Sequence, residues 1–193
     1  FTNLTEDHLN RHGTMENYAL TKMRMFANMT ADDVAVFNAD DPALTPYIPM
    51  VKAQVLTFSR KGEAEQGAFV RDGVIVTRFG GAECEVCPAK DVFIPGPHNL
   101  ENALAAACMA TACGVSAEVI AHTLRTFRGV EHRIEFVREL DGVRYINDSK
   151  GTNVDSTIKA IQTMNRPTAI ILGGYDKHCD FTPLVKEMLA SPF

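Results

Sequence analysis

No apolar run in the 193 residues approaches the roughly 20 that a membrane-spanning helix needs, so no membrane insertion is expected. The opening segment, Phe1-Thr2-Asn3-Leu4-Thr5-Glu6-Asp7, lacks the basic flank and long apolar core of a secretory signal. Clustered Lys and Arg are missing as well. The 19 basic residues stand against 24 acidic ones, a formal net charge of −5, which argues against an extended nucleic-acid surface. Five cysteines, odd in number and unevenly spaced, make no disulfide framework and fit the reduced thiols of a cytoplasmic protein. Internal repeats and low-complexity tracts are absent. So are the phosphate-binding fingerprints G-x-x-x-x-G-K-[ST] and G-x-G-x-x-G, since Gly80-Gly81 and Gly173-Gly174 lack the spacing. What remains is an ordinary composition, 46% hydrophobic and 22% charged, enough for one large core or two modest ones.

What is present reads as α/β. Thr14 can cap a helix over 14–29 whose stripe is Met15, Tyr18, Lys22, Met25 and Met29. Val34-Ala35-Val36-Phe37 and residues 53–58 read as strands, and short strands with turn signals follow over 67–95, with a hairpin at Asp72-Gly73. Pro95-Gly96-Pro97 opens a long Ala-rich helix over 99–113, stopped by Gly114. Ser116 caps the next helix, with an apolar face of Val119, Ile120, Thr123, Leu124 and Phe127. Arg128-Gly129-Val130 is the candidate domain boundary. Beyond it, a hairpin around Leu140-Asp141-Gly142 leads through the strand Val143–Ile146 into Asn147-Asp148-Ser149-Lys150-Gly151-Thr152-Asn153. An amphipathic helix (Val154, Ile158, Ile161) comes next, and Thr168–Leu172 reads as a second buried strand, ending at Gly173-Gly174-Tyr175-Asp176-Lys177. Two strands that each end in an Asp and a Lys, one of them followed by a helix amino terminus, predict a site for a charged ligand.

Each candidate has a plain alternative. Lys22 either snorkels from its apolar stripe or lies desolvated, so that its neutral amine can react. His8 and His12, four apart, could share a helical face, but the helix is short, and one histidine near a divalent metal with acids nearby is the better reading. Cys84 and Cys87 point to opposite sides of a strand and make no zinc site, while Cys108 and Cys113 are expected in the core. Asn99 reads as a helix cap, with Asn102 on nearly the same face and able to offer its amide to a base edge. His132-Arg133, just past the boundary, could bring a guanidinium to a phosphate.

Taken together, the segments Thr2–Leu9, the Lys22 helix, Asn38–Pro42, Gly96–Ala103, Glu131–Glu135, Asn147–Asn153 and Gly173–Lys177 resemble the Mur ligases of peptidoglycan synthesis, with the motifs in family order over nearly the whole chain. The resemblance implies that residues 1–129 are the later part of the P-loop-type central, ATP-binding domain, with its small antiparallel β segment. Residues 130–193 would begin a Rossmann-like, amino-acid-binding domain. The P-loop then lies upstream, and the 193 residues alone are expected to be inactive. Carried over by position, His8 corresponds to a magnesium-associated histidine and Lys22 to a lysine carried as a carbamate, so that both serve Mg²⁺. Asn99 and Asn102 correspond to adenine contacts, Arg133 to a phosphate contact and Asp148 to a ribose contact. Lys150, Thr152 and Lys177 correspond to residues around the phosphate and the substrate carboxylates. Gly151 stands where some members have Ala, an exchange expected to be neutral. The Asp148-Ser149-Lys150 form looks like that of the member adding D-glutamate to UDP-N-acetylmuramoyl-L-alanine with ATP through an acyl phosphate, a monomer when complete. The alternatives are another ATP-dependent amide ligase of the Mur and folylpolyglutamate synthase superfamily, or a non-catalytic nucleotide-binding module.

Overall fold

Val34–Asn38 forms a strand, β1, that is apolar along most of its length because both of its faces are covered. Val36 points into one core, with Leu56, Phe58, Leu104 and Cys108, while Ala35 and Phe37 point into another, with Ala19, Met23 and Phe26. The computed structural model describes residues 1–7, 9–175 and 179–192. The chain divides into two compact units, Phe1–Phe127 and Arg128–Phe193.

In the first unit β1 begins a five-stranded mixed sheet in sequence order, continued by β2 (Gln54–Ser59), β3 (Gly67–Arg71), β4 (Val74–Phe79) and β5 (Ala82–Pro88). The first three strands are parallel and the last two pair antiparallel. Asp72 and Gly73, both with positive φ (49° and 77°), make the tight turn between β3 and β4. Two short helices precede the sheet, α1 (Leu9–His12) and α2 (Met15–Met23), the latter capped as expected by Thr14 Oγ1, which accepts from Asn17 N at 3.1 Å. The helical stripe departs from expectation. After Met23 the chain tightens into a 3₁₀ turn at Arg24–Phe26, which shifts the phase; Phe26 is buried and Met25 is exposed.

α3 (Pro97–Ala112) lies across the sheet and buries Ala103, Leu104, Ala107 and Cys108. It stops at Gly114 (φ +79°), where Val115 N donates to Ala110 O and Gly114 N to Thr111 O, the paired bonds of a left-handed helix stop. Cys113 caps this end and is exposed, contrary to the expected core position, whereas burial pushes the Cys108 thiol up to about 12. Cys84 is exposed and Cys87 buried, on opposite sides of β5. α4 (Ala117–Thr126), capped by Ser116, buries Ile120, Ala121 and Leu124. Val119 and Phe127 of the expected face are exposed, because the burying stripe is set by 120, 121 and 124.

The second unit has an antiparallel hairpin, β6 (Glu135–Leu140) and β7 (Val143–Asn147), turning at Asp141-Gly142, followed by α5 (Val154–Thr163) and α6 (Thr182–Ala190). The expected strand Thr168–Leu172 does not form, and Ile171 is 97% exposed. A strand exists only where its backbone groups find a ladder partner, and among the described residues β6 and β7 pair only with each other. No helix among the described residues is long and apolar enough to cross a membrane.

Two outcomes test this fold. A Cβ on Gly67 (φ +137°) would stand 1.7 Å from Thr57 O, where the parallel and antiparallel parts of the sheet meet. Gly67→Ala should therefore cost on the order of 3 kcal/mol or more in denaturant titration, whereas Gly62→Ala, with open space around it, should stay within about 0.5 kcal/mol. On the hairpin surface, hydrogen bonds from Arg71 and then Arg78 hold the Glu63 carboxyl down at about 2. Its contribution to stability is thus complete above the ordinary carboxylate range and lost as pH falls through about 2. Glu63→Gln should be slightly less stable than the parent near pH 6 and indistinguishable near pH 2, a small difference because the group is exposed.

Candidate functional site

The first unit supplies the end of β1 and the start of α3. At the end of β1, three polar side chains tie distant backbone together. Asn38 Nδ2 donates to Thr2 O at 2.9 Å, and Leu4 N donates to Asp41 Oδ2 at 2.8 Å. Asp40 accepts from Ser59 Oγ at 2.7 Å and from Arg60 N at 2.8 Å. Phe1 N donates to Val36 O, and Asn38 N to Phe1 O, so the opening segment runs along the free edge of β1. Phe1–Leu4 is thereby fixed at the carboxyl end of β1, where ligands of such sheets bind.

His8 lies outside the described residues. His12 ends α1 and packs its ring on Tyr18, with centroids 5.2 Å apart. Lys22 is half-buried on α2, with Nζ 5.0 Å from the Tyr18 ring centroid and 5.7 Å from that of Phe1. Those ring faces attract a cation. A carbamate on the same nitrogen is an anion and would have to turn away from them. Among the described residues no three His, Cys, Asp or Glu side chains gather as a metal cluster.

At the start of α3 the expected capping role of Asn99 is not found. Gly96 is the cap residue (φ +102°) and no side chain caps the helix, because Asn99 sits two residues inside it. Its amide instead turns back to Pro95 O at 2.6 Å, while Asn99 Oδ1 accepts from Asn102 Nδ2 at 3.4 Å. Asn102 is exposed, one turn further along. The two amides form a short polar ladder on the solvent side of the helix.

The second unit supplies two loops joined at the open end of the β6–β7 hairpin. Asp148 Oδ1 accepts from Ile134 N at 3.1 Å and lies 3.4 Å from Arg133 Nη1. Lys150 N donates to His132 O at 2.9 Å, and Gly151 N to Asp148 O at 2.8 Å. Asp148 and Arg133 are thus brought together, while the side chains of Lys150 and Thr152 are exposed beside them. Thr152 precedes α5, which begins with a capping box: Asn153 Oδ1 accepts from Ser156 N at 2.8 Å and Ser156 Oγ from Asn153 N at 3.2 Å. At Gly151 the Gly/Ala exchange has one local consequence. An added Cβ would stand 2.5 Å from Asp148 Oδ2, so the carboxylate must rotate to make room. Lys177 lies outside the described residues. Near it in sequence, hydrogen bonds from the Thr182 hydroxyl and then its backbone N–H hold the Asp180 carboxyl below its usual range.

Sequence reasoning missed Glu135 and Asn147. Glu135 Oε2 accepts from His132 N at 2.8 Å, and Asn147 Nδ2 stands 2.9 Å from His132 Nδ1 and 3.4 Å from Glu135 Oε2. The available signal was an acid three residues after His132, a spacing able to close a turn.

Polar residues gathered at the carboxyl ends of parallel strands and at a helix start occupy the place where ligands of open α/β sheets bind. Residues 1–110 match the Mur ligase middle domain, and the chain belongs to the Mur ligase family. It is 52% identical over 183 residues to a UDP-N-acetylmuramoylalanine–D-glutamate ligase of Alkaliphilus oremlandii, covering 95% of this chain and 40% of that protein. Against the ligase of the same name from Clostridioides difficile, identity is 46% over 184 residues, 95% of this chain and 41% of that one. The chain thus spans about two fifths of the length of the curated relatives it matches. Among solved structures, MurF from Acinetobacter baumannii superposes with a TM-score of 0.67 at 23% identity, over 84% of this chain and 36% of that one. MurF from Thermotoga maritima in complex with ADP gives 0.59 at 21% identity, over 84% and 38%. At such identities the superpositions establish the fold alone.

The Asp148 geometry gives a stability outcome. Asp148→Ala removes a charged acceptor from Ile134 N and should destabilise the 193-residue chain by about 1.5–3 kcal/mol, whereas Asp148→Asn keeps an acceptor oxygen and should cost about half as much. Denaturation monitored by a probe in the second unit measures both.

Proposed function

We propose that the full-length protein carrying this chain is an ATP-dependent ligase that joins D-glutamate to UDP-N-acetylmuramoyl-L-alanine in peptidoglycan precursor synthesis, working in the cytoplasm as a monomer. The observation that carries this reading is the Asp148-Ser149-Lys150 loop bonded to the Arg133 turn, in a chain about half identical to relatives named for that activity. In this assignment residues 1–129 belong to the ATP-binding domain and residues 130–193 to the amino-acid-binding domain.

The chemistry is two successive displacements. The carboxylate of the UDP-linked substrate attacks the γ-phosphorus of ATP, so an acyl–phosphate bond forms and ADP leaves. The D-glutamate amine then attacks the acyl carbon, the amide forms, and phosphate and a proton leave. Little of this requires covalent help from the protein; positioning and charge neutralisation supply the rate. Asn99 and Asn102 hold the adenine edge, Arg133 a phosphate and Asp148 the ribose. Lys150, Thr152 and Lys177 meet the phosphate and the D-glutamate carboxylates. His8 and the carbamate of Lys22 would hold Mg²⁺, which would supply positive charge opposite the phosphates. Lys22 is half-buried beside the Phe1 and Tyr18 rings, and its carbamate role rests on its place in the family pattern.

Two sets of kinetics on the full-length protein test the assignments. Lys22→Ala should nearly abolish turnover and be partly rescued by acetate or bicarbonate; near-normal kcat removes the carbamate from the account. Lys177→Ala should raise KM for D-glutamate roughly 10- to 100-fold with a far smaller change in KM for ATP, the loss of one charge-assisted bond. Asn102→Ala should show the reverse preference with a smaller effect, since a neutral amide bond is worth about 1 kcal/mol. Both variants shifting the same KM would contradict two separate sites.

A further inference from the structure

We propose that Glu135 and Asn147 are positioning residues for the Arg133 guanidinium, acting on nucleotide binding through the backbone of the His132–Ile134 turn rather than by contact with ligand. The inference rests on the reading of Arg133 as a phosphate contact and extends it to two residues outside the set implied by family resemblance.

Arg133 sits between two left-handed residues, His132 at φ +67° and Ile134 at φ +47°. L side chains rarely hold this region, and a β-branched residue such as Ile134 is the least suited to it. Such backbone persists only where its surroundings over-determine it. Here each left-handed residue gives its N–H to a carboxylate: Ile134 to Asp148 Oδ1 at 3.1 Å and His132 to Glu135 Oε2 at 2.8 Å. The first carboxylate also faces Arg133 directly; the second bonds the His132 backbone and stands 3.6 Å from the His132 ring Nδ1.

Glu135 is itself held. It opens β6 and pairs in register with Asn147, the last residue of β7, so the two stand side by side at the open end of the hairpin. The Asn147 amide then bridges Glu135 Oε2, at 3.4 Å, and the His132 ring, at 2.9 Å from Nδ1. Asn147 Oδ1 accepts from Ser149 N at 3.0 Å, and Lys150 N closes the ring on His132 O at 2.9 Å. The register of the hairpin therefore sets the separation between the Arg133 turn and the Asp148–Gly151 loop. Without the Glu135 acceptor, His132 loses what holds it at positive φ, and the direction in which Arg133 leaves the turn changes with it.

The test is a double-mutant cycle on the full-length protein, read as KM for ATP and for D-glutamate. Arg133→Ala should raise KM for ATP about 10-fold or more. Glu135→Ala should raise it about 5- to 10-fold while leaving KM for D-glutamate within about 2-fold, and Glu135→Gln, which keeps an acceptor oxygen, should restore it to within about 2-fold of the parent. In an Arg133→Ala background Glu135→Ala should add nothing, because the residue acts through Arg133. Independent of any nucleotide, the backbone chemical shifts of His132 and Ile134 in the 193-residue chain should leave the left-handed range in Glu135→Ala and in Asn147→Ala and stay within it in Glu135→Gln. Effects of Glu135→Ala that add to those of Arg133→Ala, a Gln variant as damaged as the Ala variant, or unchanged shifts overturn the positioning role. Arg133→Ala with an unaltered KM for ATP overturns the phosphate reading instead, and the shifts then report on the turn alone.

Discussion

A carboxylate that accepts a backbone N–H from another stretch of chain is the interaction on which the candidate residues of each unit depend. In the first unit Asp41 takes Leu4 N and Asp40 takes Arg60 N, so the end of one buried strand pins two loops. In the second, Asp148 takes Ile134 N and Glu135 takes His132 N, so two carboxylates hold a turn whose backbone would not rest there unaided. Charge-assisted bonds of this kind are about twice as strong as neutral ones, and each resists the relaxation of a loop that carries few apolar contacts. The arrangement lets loops without a core of their own present side chains at reproducible positions.

The scaffold beneath is conventional in its physics. β1 is covered on both faces, by the α3 core on one side and by α2 and the 3₁₀ turn on the other, and α3 spans several strands of the sheet. Their ends, Asn38–Asp41 and Pro95–Asn102, therefore inherit the rigidity of the two cores. In the second unit the paired ends of β6 and β7 do the corresponding work for Arg133 and Asp148. The candidate residues thus sit at the ends of elements rather than in their middles, where a side chain is both anchored and free to meet a ligand.

Much of this was legible in the sequence wherever the governing interaction is local. Thr14 and Ser116 cap the helices they precede, Gly114 stops α3, and Asp72-Gly73 and Asp141-Gly142 turn their hairpins, because each requirement is met within five residues. Readings that depended on a partner elsewhere fared worse. Thr168–Leu172 has the composition of a strand but pairs with no strand among the described residues. Val119 and Phe127 lost their place in the core because the docking of α4, not its own periodicity, chose the buried stripe. Asn99 looked like a cap, and its amide bonds Pro95 O instead. Glu135 and Asn147 lie in segments the sequence marks, but no role could be assigned to them there, because their partnership rests on a hairpin register that brings residues twelve apart side by side.

The central claim is that these loops serve the addition of D-glutamate, as distinct from another amino acid or from nucleotide binding without chemistry. The most direct measurement is phosphate release by the full-length protein with ATP, Mg²⁺ and UDP-N-acetylmuramoyl-L-alanine, with D-glutamate, L-glutamate or diaminopimelate supplied in turn. The account predicts release and a new amide product with D-glutamate alone. Turnover that prefers L-glutamate or diaminopimelate, or nucleotide binding with no release under any of the three, would contradict it.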